Sequence, residues 1–245
     1  DLSRTRSQRR RIPAQTKAQP MTTPSSLGNE EAPPGEPDVN TFFGLRVPEQ
    51  FDRTLERQRA AAQSDPEAKR VLEEMEAVRT SVVVRVDRGD RSQHDEEFAF
   101  DIERGSMAVR NVPTYPPFLI MRLDRADFPN LRRECGDSLL GFLGGLAGLG
   151  DEMRLTSQRV RNLRELGGSL VFERTGERGF TLLSQFGEDT PDADPRATIQ
   201  IDEATYAQLR SGELDPHDAF LASESEVIGD EGMAIELALT ALAPD

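Results

Sequence analysis

Two stretches of this chain read as copies of one pattern, an apolar strand ending in Asp and followed by a helix. That repeat constrains the fold more than any single motif. With Asp124 placed over Asp202, an offset of 78 residues, Ala126 falls on Ala204, Phe128 on Tyr206, Leu131 on Leu209 and Arg132 on Arg210. At the same offset Asp137 meets Asp215, Phe142 meets Phe220 and Leu143 meets Leu221. One further residue of offset brings Gly150, Asp151 and Glu152 onto Gly229, Asp230 and Glu231. An apolar strand precedes each block, at residues 118–123 and 197–201, and a hairpin comes before each strand. Self-similarity at a fixed spacing marks a duplicated supersecondary unit.

The elements around the repeat follow from local pattern. Order is expected to begin near Val47, with Pro48 at a first helical position and Phe51, Leu55 and Ala62 at helical spacing. Ser64-Asp65-Pro66 restarts a helix, and Ala68, Val71, Leu72, Met75 and Val78 form its apolar stripe. The period then changes to that of strands at residues 81–87, 98–102, 106–110 and 118–123, with turns at Arg88-Gly89-Asp90 and Glu103-Arg104-Gly105. Strands in a run with helices elsewhere imply an α+β fold, a mostly antiparallel sheet covered by helices, here as a tandem of two units. The expected division is a disordered leader over 1–40, a helical segment plus a divergent first unit over 41–155, and a second unit over 156–245.

Composition matters most for the leader. Residues 1–20 carry Arg4, Arg6, Arg9, Arg10, Arg11 and Lys17, and a Pro/Ser/Glu/Gly stretch follows Met21. Such sequence cannot bury enough surface to offset chain entropy. The basic head reads either as a transit peptide or anion-binding arm, or as sequence upstream of a start at Met21. Overall the chain is acidic, with a formal net charge of −14. That charge works against nucleic-acid phosphates and anionic membranes as partners. Cys135 is the single cysteine, so no intramolecular disulfide can form. No apolar run reaches the roughly 20 residues that span a bilayer, so stable membrane insertion is not expected. A cytoplasmic location is the expectation.

The second unit carries a specific resemblance. Ser211-Gly212-Glu213-Leu214-Asp215-Pro216, then Ala219-Phe220, then Ile228-Gly229-Asp230 stand in order between an apolar strand and a last amphipathic helix. This ordered set resembles the carboxy-terminal half of the sterol-carrier-protein type 2 family, over about residues 165–242. Each piece also has a local reason. Gly212 suits a helix C-terminus, Asp215-Pro216 starts a helix, and Asp230 can cap the last one. The resemblance implies an apolar tunnel between sheet and helices that takes a sterol, a fatty acyl chain or an isoprenoid. Phe220, Leu221, Met233 and Leu237 are expected to line it, with Phe142 and Leu143 at the equivalent place in the first unit. The chain departs from the family at residues 223–226, where Ser-Glu-Ser-Glu stands in place of Lys and Gly, so a smaller or closed pocket is one expectation.

The Gly-rich segment 138–150 reads as a flexible pocket mouth or, preferably, as a closely packed segment between the units. Chemistry beyond binding has little support. His94, His217 and Cys135 lack metal-ligand or nucleophile spacing, and the Gly-rich run lacks the Lys of a phosphate-binding loop. The chain is therefore expected to be non-enzymatic, with no cofactor and no metal, and to bind or transfer an apolar lipid. A protein-interaction module with a filled core and an accessory domain of an enzyme remain as alternatives, since fold does not fix function.

Overall fold

The computed structural model describes residues 38–89, 96–146, 153–187, 194–221 and 225–242, apart from the side chains of His217, Phe220, Leu221, Ala241 and Leu242. Helical structure starts earlier than the expected Val47. Asp38 caps α1 (Val39–Thr41), its side chain accepting from the Thr41 N–H at 3.0 Å. A π-helical turn, Phe42–Arg46, leads directly into α2 (Val47–Ala61). Pro48 explains the wide turn. Its ring would clash with the carbonyl of Gly44 in a regular α-helix, and it has no N–H to offer there.

The turn places Phe42 and Phe43, each 3% exposed, in the core. Phe43 lies 5.1 Å from the Phe98 ring and 5.8 Å from Phe128, while Phe42 packs edge-on to Phe128 at 5.4 Å. The leader expected over 1–40 thus overlaps the first helix by its last residues. The anchor itself is an isolated aromatic pair with no period to announce it. Helix α3 (Pro66–Glu76) starts as read, with Asp65 accepting from the Glu67 N–H at 2.9 Å.

Eight described strands follow: β1 (Arg79–Asp87), β2 (Glu96–Glu103), β3 (Ser106–Arg110), β4 (Pro117–Asp124), β5 (Gly168–Arg174), β6 (Phe180–Phe186), β7 (Ala197–Ile201) and β8 (Ser225–Gly229). They form one sheet in the order β3-β2-β1-β4-β6-β5-β7-β8. Neighbours are antiparallel except β1 with β4 and β5 with β7, which are parallel. The fold is α+β. The six further described helices are α4 (Phe128–Cys135), α5 (Gly141–Leu146), α6 (Ser157–Leu166), α7 (Glu203–Ser211), α8 (Pro216–Leu221) and α9 (Glu231–Leu242).

Alternation assigns the two faces of the sheet. Val82, Val84, Val86, Phe98 and Phe100 join helix residues such as Val160 and Leu163 in one core. The opposite face carries charged pairs across strands, Arg85 with Glu97 at 2.9 Å and Arg122 with Asp87 at 2.7 Å. Such a face tolerates water, as antiparallel sheets commonly do. The core is continuous from Val39 to Leu237, so segments 41–155 and 156–245 share it. Gly105 closes the β2–β3 hairpin at φ 67° after Arg104 at φ 53°. Both values suit a tight hairpin turn.

A buried carboxylate ties the β3–β4 connection across the sheet. Asp101 accepts from Ser81 Oγ at 2.7 Å, from the Thr114 N–H at 3.0 Å and from Thr114 Oγ1. Burial pushes its pKa up, but the hydrogen bonds from Ser81 and Thr114, with the charge of Arg110, hold it below the usual carboxylate value. A lowered folded-state pKa contributes stability that is complete above the unfolded value of about 3.9 and is lost as pH falls through the folded one. Asp101→Asn should therefore lose stability at pH 7 and show a flatter decline below pH 4 than the parent, read from urea midpoints across pH. Phe43→Ala should cost about 3–5 kcal/mol in the same assay. A loss under about 0.5 kcal/mol, the range of surface substitutions, would mean that the π turn is only loosely docked.

Candidate functional site

The strand face that carries the core does not meet its helices tightly everywhere. Between β5, β7 and β8 on one side and the helices on the other lies a cavity of about 90 Å³. One water needs roughly 10–15 Å³ on this scale, and pockets that enclose whole ligands run to about 300–1,000 Å³. Its floor is Phe172, Ile199, Ile201 and Val227, which the period of two places on one face. Its roof is drawn from five helices, by Leu143 of α5, Leu163 of α6, Leu209 of α7, Ala219 of α8 and Ala234 with Leu237 of α9. Among the described residues Ser225 is the one lining residue with a polar side chain.

Local sequence explains how each helix is held over the floor. Asp202 starts α7 by accepting from the Thr205 N–H at 2.7 Å, and that bond, against a smaller effect of burial, keeps its pKa low. Gly212 ends α7 in the left-handed conformation at φ 75°. Asp230 accepts from the Met233 N–H at 3.1 Å and pairs with Arg196 at 2.5 Å, and both interactions lower its pKa. These contacts fix the entry to α9. Beyond them α9 is held by Met233, Ala234 and Leu237, all buried.

Helix α5 packs closely beside the cavity because three of its six residues are glycine. A Cβ on Gly141 would stand 2.5 Å from the Cys135 carbonyl oxygen, and one on Gly145 would stand 2.3 Å from the Tyr206 hydroxyl. Of the two readings of this Gly-rich segment, the described part, 141–146, fits close packing. Phe142 stacks on Tyr206 at 5.1 Å and packs edge-on to Phe180 and Phe172 at 4.9 and 5.8 Å.

One front-face position beyond Phe172 lies Arg174, wholly buried. It pairs with Glu134 of α4 at 3.6 Å and Glu203 of α7 at 3.3 Å, and donates to the Arg178 carbonyl. Arg210 reaches the same Glu134 at 3.7 Å. A buried charge left without its partner costs several kcal/mol, so this cluster fixes α4 and α7 against β5 beside the cavity.

The expected lining residues are thus partly brought together. Leu143 and Leu237 line the cavity. Met233 is buried beside it against Gly168, and Phe142 is buried in the packed region next to it. The side chains of Phe220 and Leu221 lie outside the described residues, although their helix brings Pro216 and Ala219 to the wall. Residues 150–152, the last block of the repeat, also lie outside. The strand residues of the floor were missed by a reading centred on helices; the alternation of Ile199 and Ile201 was the signal that pointed to them. Among the described residues no three of His, Cys, Asp and Glu gather as a metal-binding group, and no helix is long and apolar enough to cross a membrane.

No protein-family model matches the chain, and no curated protein matches it. Among solved structures, a similar chain is sterol carrier protein 2 from Yarrowia lipolytica in its apo form. The likeness has 18% sequence identity and a TM-score of 0.29, and covers 45% of this chain and 95% of the other.

The ion cluster generates a test of the cavity's frame. Arg174→Met should lower the urea midpoint, because Glu134, 13% exposed, is left with Arg210 as its remaining partner, whereas Glu203, 56% exposed, stays solvated. Adding Glu134→Gln should recover a measurable part of that loss. Additive or worse behaviour of the pair in urea denaturation would show that packing, and not charge, holds this corner.

Proposed function

We propose that the cavity is a binding site for an apolar lipid, and that the protein binds or transfers that lipid without catalysing a reaction on it. The observation that carries this reading is the wall. A contiguous surface drawn from three strands and five helices, with α6 among them, offers a ligand apolar side chains apart from Ser225 among the described residues. Each CH₂ buried against such a wall contributes about 0.8 kcal/mol. The likeness of residues 165–242 to sterol-carrier sequences points the same way, and a tandem origin of the two halves goes with it.

In this reading one site exists and not two. The space under the first half of the sheet is occupied by Phe42 and Phe43, and the crevices described in that half are about 20 and 40 Å³. The second-half cavity takes only a short stretch of chain as it stands. A whole lipid enters as α9, which contributes Ala234, Leu237 and Ala238 to the wall, moves outward.

A protein-interaction role is the second reading, and α9 also supplies the observation that favours it. Ile235 is 41% exposed and Leu239 63%, so its outer side is apolar as well. An accessory role beside a catalytic partner is a variant of the same idea.

Native mass spectrometry of the purified protein, with its organic extract analysed in parallel, should find an apolar lipid at up to one per chain. Ala238→Phe, which fills the cavity, should weaken uptake of a fluorescent sterol or acyl probe at least tenfold while the protein stays folded. An empty protein that takes up neither probe would leave the interaction reading in its place.

A further inference from the structure

We infer that the ligand of this cavity is uncharged at its head, an alcohol, sterol or isoprenoid, and is not an ionised fatty acid or an anionic phospholipid. The inference rests on the lipid-binding reading above and deepens it. A carboxylate buried with its chain needs a cation or several donors close by, since an unpaired ion in an apolar site is strongly disfavoured. Among the described residues nothing in the wall can serve: of the fifteen that line it none is charged, and Ser225 offers a single hydroxyl.

The arginines described on and beside the surrounding elements have partners away from the wall, Arg161 donating to Gln158 at 2.8 Å and Arg164 to Thr80 at 3.1 Å on α6. Arg174 is held by Glu134 and Glu203, Arg210 by Glu134, and Arg196 by Asp230. Arg159 of α6 donates to the Arg154 carbonyl at 2.7 Å, and Arg154 lines a separate crevice. The wider field has the wrong sign for an anion as well. Residues 194–245 contain twelve Asp and Glu against two Arg, with no Lys. Six of these acids are sequence neighbours of wall residues: Asp202 follows Ile201, Asp215 precedes Pro216, Asp218 precedes Ala219, Glu224 and Glu226 flank Ser225, and Glu236 precedes Leu237. An anionic head at the rim is therefore repelled where a hydroxyl is indifferent.

The test compares ligands matched in chain and differing only in head. The full chain is loaded with the uncharged dye N-phenyl-1-naphthylamine, and displacement by 1-dodecanol and by dodecanoate is followed at pH 7.5, with native mass spectrometry as a second readout. Dodecanol is expected to bind at least tenfold more tightly than dodecanoate. Ser225→Lys, which brings an ammonium group to the wall, is expected to reduce that ratio by improving dodecanoate. If dodecanoate binds the parent protein within tenfold of the alcohol, the head-group inference is overturned and the lipid site stands. If neither ligand binds by either readout, the lipid reading falls and the head-group inference with it.

Discussion

The pairing of β4 with β6 is the joint on which the rest of the molecule depends. Five register pairs, from Leu119 with Phe186 to Leu123 with Leu182, join strands that the repeat assigns to different halves. Phe186 pairs at the same time with Gly168 of β5. Strand β6 is therefore shared, closing the edge of the first half while forming the hairpin of the second. An exposed edge at this point would be a template for pairing with another chain. The joint removes that edge and makes one continuous core, and so lets α5, a product of the first half, cover the sheet of the second.

Much of this was legible in the sequence, and the reasons for success and failure are local. The helix announced by a cap and a stripe after Ser64-Asp65-Pro66 lies where the residues place it, because both signals act within a few residues. The strands with β-branched or alternating character are also found. What local reading could not supply was pairing. That β4 lies parallel to β1 and then meets β6 is decided by contacts far apart in sequence. The same holds for Phe42 and Phe43, whose burial depends on a π turn forced by Pro48 and on rings from Phe98 and Phe128. Arg174 reads as an ordinary end of a strand in SLVFER, and only the fold brings Glu134 and Glu203 to it.

The candidate site divides along the same line. Helix residues at three-to-four spacing were visible, and of the four expected ones whose side chains are described, Leu143 and Leu237 reach the cavity wall. The floor came from alternation in short strands, which also fits plain core packing. Sequence alone had no means of telling a cavity from a filled interior, because the difference lies in whether some other segment inserts. Under the first half Phe42 and Phe43 do so; under the second half no described side chain does.

The composition of α9 has a consequence for how firmly it can be oriented. A helix with one apolar stripe has one stable rotation about its axis, since any other exposes the stripe to water. Helix α9 has Glu231, Glu236 and Thr240 as its polar side chains, and Ile235 and Leu239 already face outward. Turning it by a single residue step exchanges one apolar face for another, so solvent does little to select between rotations. Its orientation is left to the Asp230 cap, the Arg196 pair and the buried Met233, Ala234 and Leu237, all within its first two turns. The helix is held from one end, like a latch that has a hinge and no catch.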